Sequence, residues 1–294
     1  MINHPALIWQ SRGTRQKAAR PLPLRWPKEF QVSEPSNDLE RKLKNAADDP
    51  VSRPEFYKAL MEADVFVIGF TDSKGEGVST IPTGTKLSIV NWKKNDGTPF
   101  IPFFTSLESL QRALKEESKY VALPAKSFFE MTLGSFLVLN PASLYGKEFF
   151  PNEVQALLET GMNQAPKTRI VQKETKVLLG QPANYPSAMV SALTALLAKH
   201  SAVKAAYLCF MHDSSSSEKP SLVVGFEGEE DLSKAMKEAG SVAADTAPKG
   251  ELVDFAVLKR GETGLSAYMF SSVKAFYERT WGSKLRSLFS PGRA

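Results

Sequence analysis

Apolar positions along this chain follow two rhythms, a helical one and an alternating one, with polar stretches between them. Leu39, Leu43 and Ala46 share one helix face behind Ser36 or Asn37 as N-cap. Pro54 is suited to a first helical turn and opens a second helix carrying Phe56, Leu60 and Met61. Val65–Ile68 and Leu87–Val90 read as strands, with a Gly-, Ser- and Thr-rich loop from Thr71 to Thr85 between them. Asn95-Asp96-Gly97 is a turn signal, so residues 87–92 and 99–104 pair as a hairpin. A helix follows from Ser106, with Thr105 and Glu108 at capping-box spacing. Strand Tyr120–Leu123, helix Ser127–Leu133, strand Phe136–Leu139 and a helix from Pro151 to the Gly161 stop complete the first half.

Residues 162–175 lack an apolar period and read as a linker. Beyond them the pattern gives strand Lys176–Leu179, helix Pro186–Lys199, strand Val203–Met211, a loop tip at Ser214–Ser217, strand Leu222–Phe226, helix Glu230–Ala239 and strand Val253–Leu258. That βαββαβ order predicts a ferredoxin-like, four-stranded antiparallel sheet. A C-terminal helix from about Ser266 carries Tyr268, Phe276 and Tyr277. The fold class expected is α+β in two domains: a basic, proline-containing extension (1–35), a first domain (36–161), the linker, and a second, ferredoxin-like domain (176–294).

Bulk composition narrows the function. At 294 residues, 42% hydrophobic and 23% charged, the chain has globular values. No apolar run nears the roughly 20 residues of a membrane helix, and the N-terminus lacks the apolar core of a secretory signal. The single cysteine excludes an internal disulfide and fits a reducing compartment, so the cytoplasm is the expected location. The net charge of +5 would suggest nucleic acid were it spread over the body. It is concentrated in residues 1–35, where Arg12, Arg15, Lys17, Arg20, Arg25 and Lys28 face only Glu29 and Glu34. The near-neutral remainder argues against a nucleic-acid partner. Trp9, Trp26 and Phe30 leave the extension open to two readings, a flexible tail or a docked arm.

Candidate chemistry is sparse. Cys209 and His212 invite a thiolate–imidazole reading, but positions three apart on a strand face opposite sides, and Cys209 lies among Tyr207, Leu208 and Phe210. Packing is the expected role of that thiol. The histidines His4, His200 and His212 have no metal-ligand spacing, and His200 falls at a helix end. The glycines from Gly69 to Gly84 match no phosphate-binding motif. Glu148, Glu153, Glu227, Glu229, Glu230 and Asp231 lie near element ends, where capping explains them. No catalytic residue, cofactor site or metal site is expected, and the chain reads as a non-enzyme. Phe276, Tyr277, Arg279 and Trp281 combine aromatic and guanidinium groups as contact surfaces do, and are the expected partner-binding residues.

Several segments carry a family resemblance. They are Asn37-Asp38-Leu39-Glu40, Arg53-Pro54-Glu55-Phe56, the run Asp96 to Glu108, Phe129-Glu130-Met131-Thr132-Leu133-Gly134, Leu139-Asn140, Gly146-Lys147-Glu148-Phe149, Gly240 to Thr246, and Phe276 to Gly282. Through them the chain resembles the enhanced serine sensitivity (SseB) family from about Asn37 to Leu288. The resemblance implies N- and C-terminal SseB domains, a cytoplasmic protein, and a link to serine sensitivity or sulfur metabolism. It supplies no catalytic residues. Relatives of the domain resemble immunity proteins of bacterial toxin systems. The expected function is a non-catalytic, protein-binding modulator. The alternatives are a toxin-neutralising immunity protein, or a small-molecule-binding module or enzyme with a pocket between the domains.

Overall fold

The computed structural model describes residues 7–9, 35–71, 87–163, 177–213, 220–229 and 231–279. The chain divides into two compact units, Met1–Asn163 and Gln164–Ala294. The predicted linker and the Thr71–Thr85 and Ser214–Ser217 loops lie almost wholly outside the described residues, as does most of the extension. The mixed α+β class is observed in both units.

In the first unit, β1 (Leu7–Trp9), α1 (Asp38–Asp48), α2 (Arg53–Glu62), β2 (Asp64–Thr71), β3 (Leu87–Ile89), β4 (Asn91–Lys93), β5 (Pro99–Phe104), α3 (Leu107–Ala113), β6 (Tyr120–Pro124), α4 (Ala125–Met131), β7 (Leu137–Leu139), β8 (Lys147–Phe149) and α5 (Pro151–Thr160) follow in order. β5 is the hub: it pairs antiparallel with β4 and β2 and parallel with β7. It carries two prolines, unusual for a central strand. Pro102 falls between the residues that pair β4 (Pro99, Phe100) and those that pair β2 (Phe103, Phe104), where the ladder is already interrupted. Alternation along β5 splits the core. Ile101 and Phe103 join Phe56, Leu60, Phe128, Phe129 and Phe149 in one cluster, while Phe100 and Phe104 join Ile68, Trp92 and Leu110 in another.

In the second unit, β9 (Val177–Gly180), α6 (Ser187–Leu197), β10 (Val203–Asp213), β11 (Ser221–Gly228), α7 (Ser233–Thr246), β12 (Leu252–Val257), α8 (Leu265–Ser272) and β13 (Tyr277–Glu278) follow. The ferredoxin-like expectation requires every neighbouring pair to be antiparallel. Here β9, β10 and β11 are antiparallel in sequence order, but β12 lies beside β11 and parallel to it. The reason is local: α7 makes a direct crossover that returns the chain to the adjacent position, where the expected topology would skip a strand. α7 also runs beyond the expected end at Ala239, through Gly240 to Thr246; a Cβ on Gly240 would meet only Phe255, at 3.9 Å.

The C-terminal helix is shorter than expected. It ends at Ser272, and Tyr277 pairs with Ala206 on β10 instead of continuing it. β10 and β11 are buried on both faces. Ala205, Tyr207, Cys209 and Val223 pack with Met269 and Val273 beside α8, and the intervening Ala206, Leu208 and Val224 are buried on the other face.

Candidate functional site

The tightest polar constellation forms where α1 begins, β5 ends and β7 ends. Asn37 caps α1, its Oδ1 accepting from the Glu40 backbone N–H at 2.8 Å. That fold places the Glu40 carboxylate, 8% exposed, against the β5–α3 turn. One oxygen accepts from Thr105 Oγ1 at 2.8 Å and Ser106 Oγ at 2.7 Å. The other accepts from the Ser36 N–H at 2.8 Å and Ser36 Oγ at 3.0 Å. Asn140, held at φ 47°, completes the tie: its amide donates to Thr105 Oγ1 at 2.8 Å, and its Oδ1 accepts from the Thr105 N–H at 3.0 Å. Asn37 Nδ2 donates to the Thr105 carbonyl at 2.9 Å. Burial raises the Glu40 pKa, but the donors from Ser36, Ser106 and Thr105 outweigh it and hold the carboxyl below its usual range.

This network moves the capping box by one residue from the expected Thr105–Glu108 pair. Ser106 and Ser109 form it, because the Thr105 hydroxyl is engaged with Glu40 and Asn140. The arrangement joins three elements separated in sequence, and every polar side-chain atom of Glu40 and Asn140 has a partner. Helical periodicity could not find Glu40, since it adjoins the apolar Leu39–Leu43 stripe where a charged residue usually marks the solvent side. A cleft of about 430 Å³ runs along the same helix, lined by Pro35, Asn37, Asp38, Arg41, Lys44 and Asn45. Asp38 there is ion-paired to Arg41 and Lys42, which keep its pKa low.

The predicted tail residues separate. Tyr277 is buried, and Phe276 is half-buried with its N–H donating to the Ala206 carbonyl at 2.9 Å. Arg279 turns inward: Nε donates to the Val203 carbonyl at 3.1 Å, and its terminal nitrogen donates to the carbonyls of Leu197 and His200. The Leu197 and His200 carbonyls also accept from the His200 and Val203 N–H groups, so Arg279 is a second donor to the turn that follows α6. Trp281 lies outside the described residues. Cys209 is fully buried, with its thiol pushed up to about 11 by burial. His212 lies three places along β10, opposite Leu178 of β9, while Cys209 stands opposite Val223 of β11.

His200 bonds Glu238 on α7 at 2.9 Å, so it ties two helices together in addition to following a helix end. The carboxylates near element ends are engaged locally. Glu148 pairs with Lys94, Glu153 with Lys147 and the Phe150 N–H, Glu227 with Arg260, and Glu229 with Lys204. Asp231 accepts from the Ser233 N–H, and Glu230 lies outside the described residues. Among the described residues no three His, Cys, Asp or Glu side chains gather to hold a metal, and no helix is long and apolar enough to cross a membrane.

One surface stands apart from this pattern of satisfied groups. Met131, Leu133 and Phe150 are 54%, 55% and 52% exposed. Met131 and Leu133 lie just before β7 in the chain, and the β7–β8 register (Leu137 opposite Phe149) brings Phe136 and Phe150 to the same end with ring centroids 5.1 Å apart. Gly134, at φ 88°, makes the turn between α4 and β7 that carries Leu133 outward. Lys94 sits 4.3 Å over the Phe136 ring and bonds Glu148 at 2.6 Å, giving the apolar end a charged margin. Sequence analysis missed this surface; β8 itself had not been read as a strand.

The fold and these sites define a protein of two α+β units, the first knotted around a buried carboxylate and exposing an apolar end. The chain belongs to the SseB family: residues 39–156 match the SseB protein N-terminal domain and residues 171–279 the SseB protein C-terminal domain. It is 38% identical over 255 residues to Protein SseB of Escherichia coli (strain K12) and, equally, to Protein SseB of Shigella flexneri. Each match covers 87% of this chain and 97% of the relative. No solved structure matches it.

Proposed function

We propose that this protein acts in the cytoplasm by binding another protein, without catalysis of its own, as a modulator linked to serine sensitivity or sulfur metabolism. The metabolic link comes from the family resemblance. The observation that carries the binding reading is the exposed apolar end at Met131, Leu133, Phe136 and Phe150 with its Lys94–Glu148 margin. Large apolar groups grouped on a surface and edged by polar ones favour a macromolecular partner. The tail reading is weakened at Tyr277 and Arg279, whose side chains already serve the second unit. Phe276 and Trp281 keep a secondary place in it. A toxin-neutralising role would use the same class of surface with a different target.

The test is capture from native lysate by the wild-type chain and by a Leu133→Asp/Phe150→Asp variant, with thermal unfolding as the fold control. Proteins retained by the wild type and lost by an equally stable variant support the reading. Identical captured sets reject this surface. An Arg279→Ala variant run in parallel reports on the tail.

A further inference from the structure

β12 borders the sheet of the second unit and is paired along one side. It runs parallel to β11, and among the described residues no strand lies on its other side. The Leu258 N–H donates to the Phe226 carbonyl at 2.8 Å. Along a strand, alternate residues turn their N–H and C=O to the same side. Leu252, Asp254 and Ala256 therefore face β11 as Leu258 does, and Val253, Phe255 and Val257 turn their backbone groups outward. An open edge of this kind accepts an added strand, and natural sheets commonly blunt it with charge, proline or a bulge. β12 has no proline, its register with β11 is unbroken, and its outward residues are two valines and a phenylalanine. Val257 is 44% exposed.

We propose that this edge joins two copies of the chain: β12 pairs antiparallel with β12 of a second copy about a two-fold axis at Phe255, and the two five-stranded sheets become one. What points to a second copy is the self-complementarity of the segment from Glu251 to Lys259. In that register Phe255 meets Phe255, Val253 meets Val257, Leu252 meets Leu258, and Glu251 comes opposite Lys259 at both ends. The three outward N–H groups of each copy find the three outward carbonyls of the other. Phe255 already stacks on Phe226, with centroids 5.9 Å apart and planes 4° from parallel, and the Phe255 of the second copy lengthens that row. Glu251 and Lys259 are both exposed, and the Lys259 ammonium stands a long 3.8 Å from Glu262. Sliding one copy by two residues keeps the outward groups paired but loses the match. One direction sets Asp254 against Asp254 and Lys249 against Lys259; the other sets Val253 against Lys259. The two-fold pairing uses each edge once, so it closes at a dimer. This contact belongs to the second unit and does not depend on the apolar end of the first.

The test measures self-association of the full-length chain by analytical sedimentation, with amide exchange as a local readout. The wild type should show a monomer–dimer equilibrium between about 1 and 200 µM. Glu251→Lys and Lys259→Glu each set like charges against one another at both ends, and each should weaken the dimer about fivefold or more. The double variant Glu251→Lys/Lys259→Glu restores opposite charges and should return to within about twofold of the wild type. Amide exchange at Val253, Phe255 and Val257 should slow as the wild-type protein is concentrated. That comparison needs no variant, and a thermal midpoint for each variant confirms its fold. A chain that stays monomeric over the whole range overturns the proposal. So does a dimer that the single reversals leave unchanged, one that the double variant fails to restore, or one in which those three amides exchange as they do in the monomer.

Discussion

Glu40 keeps its charge in an almost closed site because four donors from Ser36, Thr105 and Ser106 stand where water would otherwise be. Glu40→Ala strands those donors and should cost about 2–4 kcal/mol, read by urea unfolding. The sign of its pH dependence follows from the lowered folded pKa. The unfolded chain takes up the proton first as pH falls, so the stabilisation is complete above the unfolded pKa and disappears through the folded one. The stability gap between wild type and Glu40→Gln should therefore shrink toward acid, and a gap that widens there would refute the assignment. Cys209 presents the opposite case. With its thiol pushed up to about 11, it should resist iodoacetamide at pH 8 while folded and react on unfolding. Its packing role was legible because four neighbouring letters are apolar; Glu40's was not, since its Thr105 and Ser106 partners lie 65 and 66 residues away.

At the scale of elements, α6 and α8 show what periodicity reads and what it misses. Met189, Leu193 and Leu197 recur every four residues along α6, the spacing of one helix face, and all three are buried. The turn after that helix is also braced by Arg279, 79 residues beyond His200, a contact that no local signal could reveal. Arg279→Ala should lower the thermal midpoint by several degrees, where a purely external anchor would leave it unchanged. α8 lies so close to β11 that a Cβ on Gly225 would stand 2.4 Å from Met269 Sδ and 2.8 Å from Leu258 Cδ1. Gly225→Val must push aside the Met269 and Leu258 side chains, and should destabilise the second unit by about 1–3 kcal/mol in calorimetry. Strand existence was largely visible in the pattern, but strand order was not. The same βαββαβ succession serves both topologies, and the connections through α6 and α7, which set β9 beside β10 and β12 beside β11, decide between them.

For the whole molecule, the chain divides into two compact units, Met1–Asn163 and Gln164–Ala294, and the exposed apolar end of the first was not legible in the pattern. Met131, Leu133 and Phe150 occupy positions where a helix or strand pattern expects core. Their exposure arises from the turn at Gly134 and from β8, whose three residues carry too little pattern to be recognised. The account predicts that this end meets another protein in the cell. Site-specific photocrosslinking tests that most directly, with a photoreactive phenylalanine analogue at position 150 and, as control, at the exposed Lys249. A discrete protein adduct formed from position 150 and not from position 249 is the expected result; no adduct at 150, or the same adducts from both positions, would contradict it.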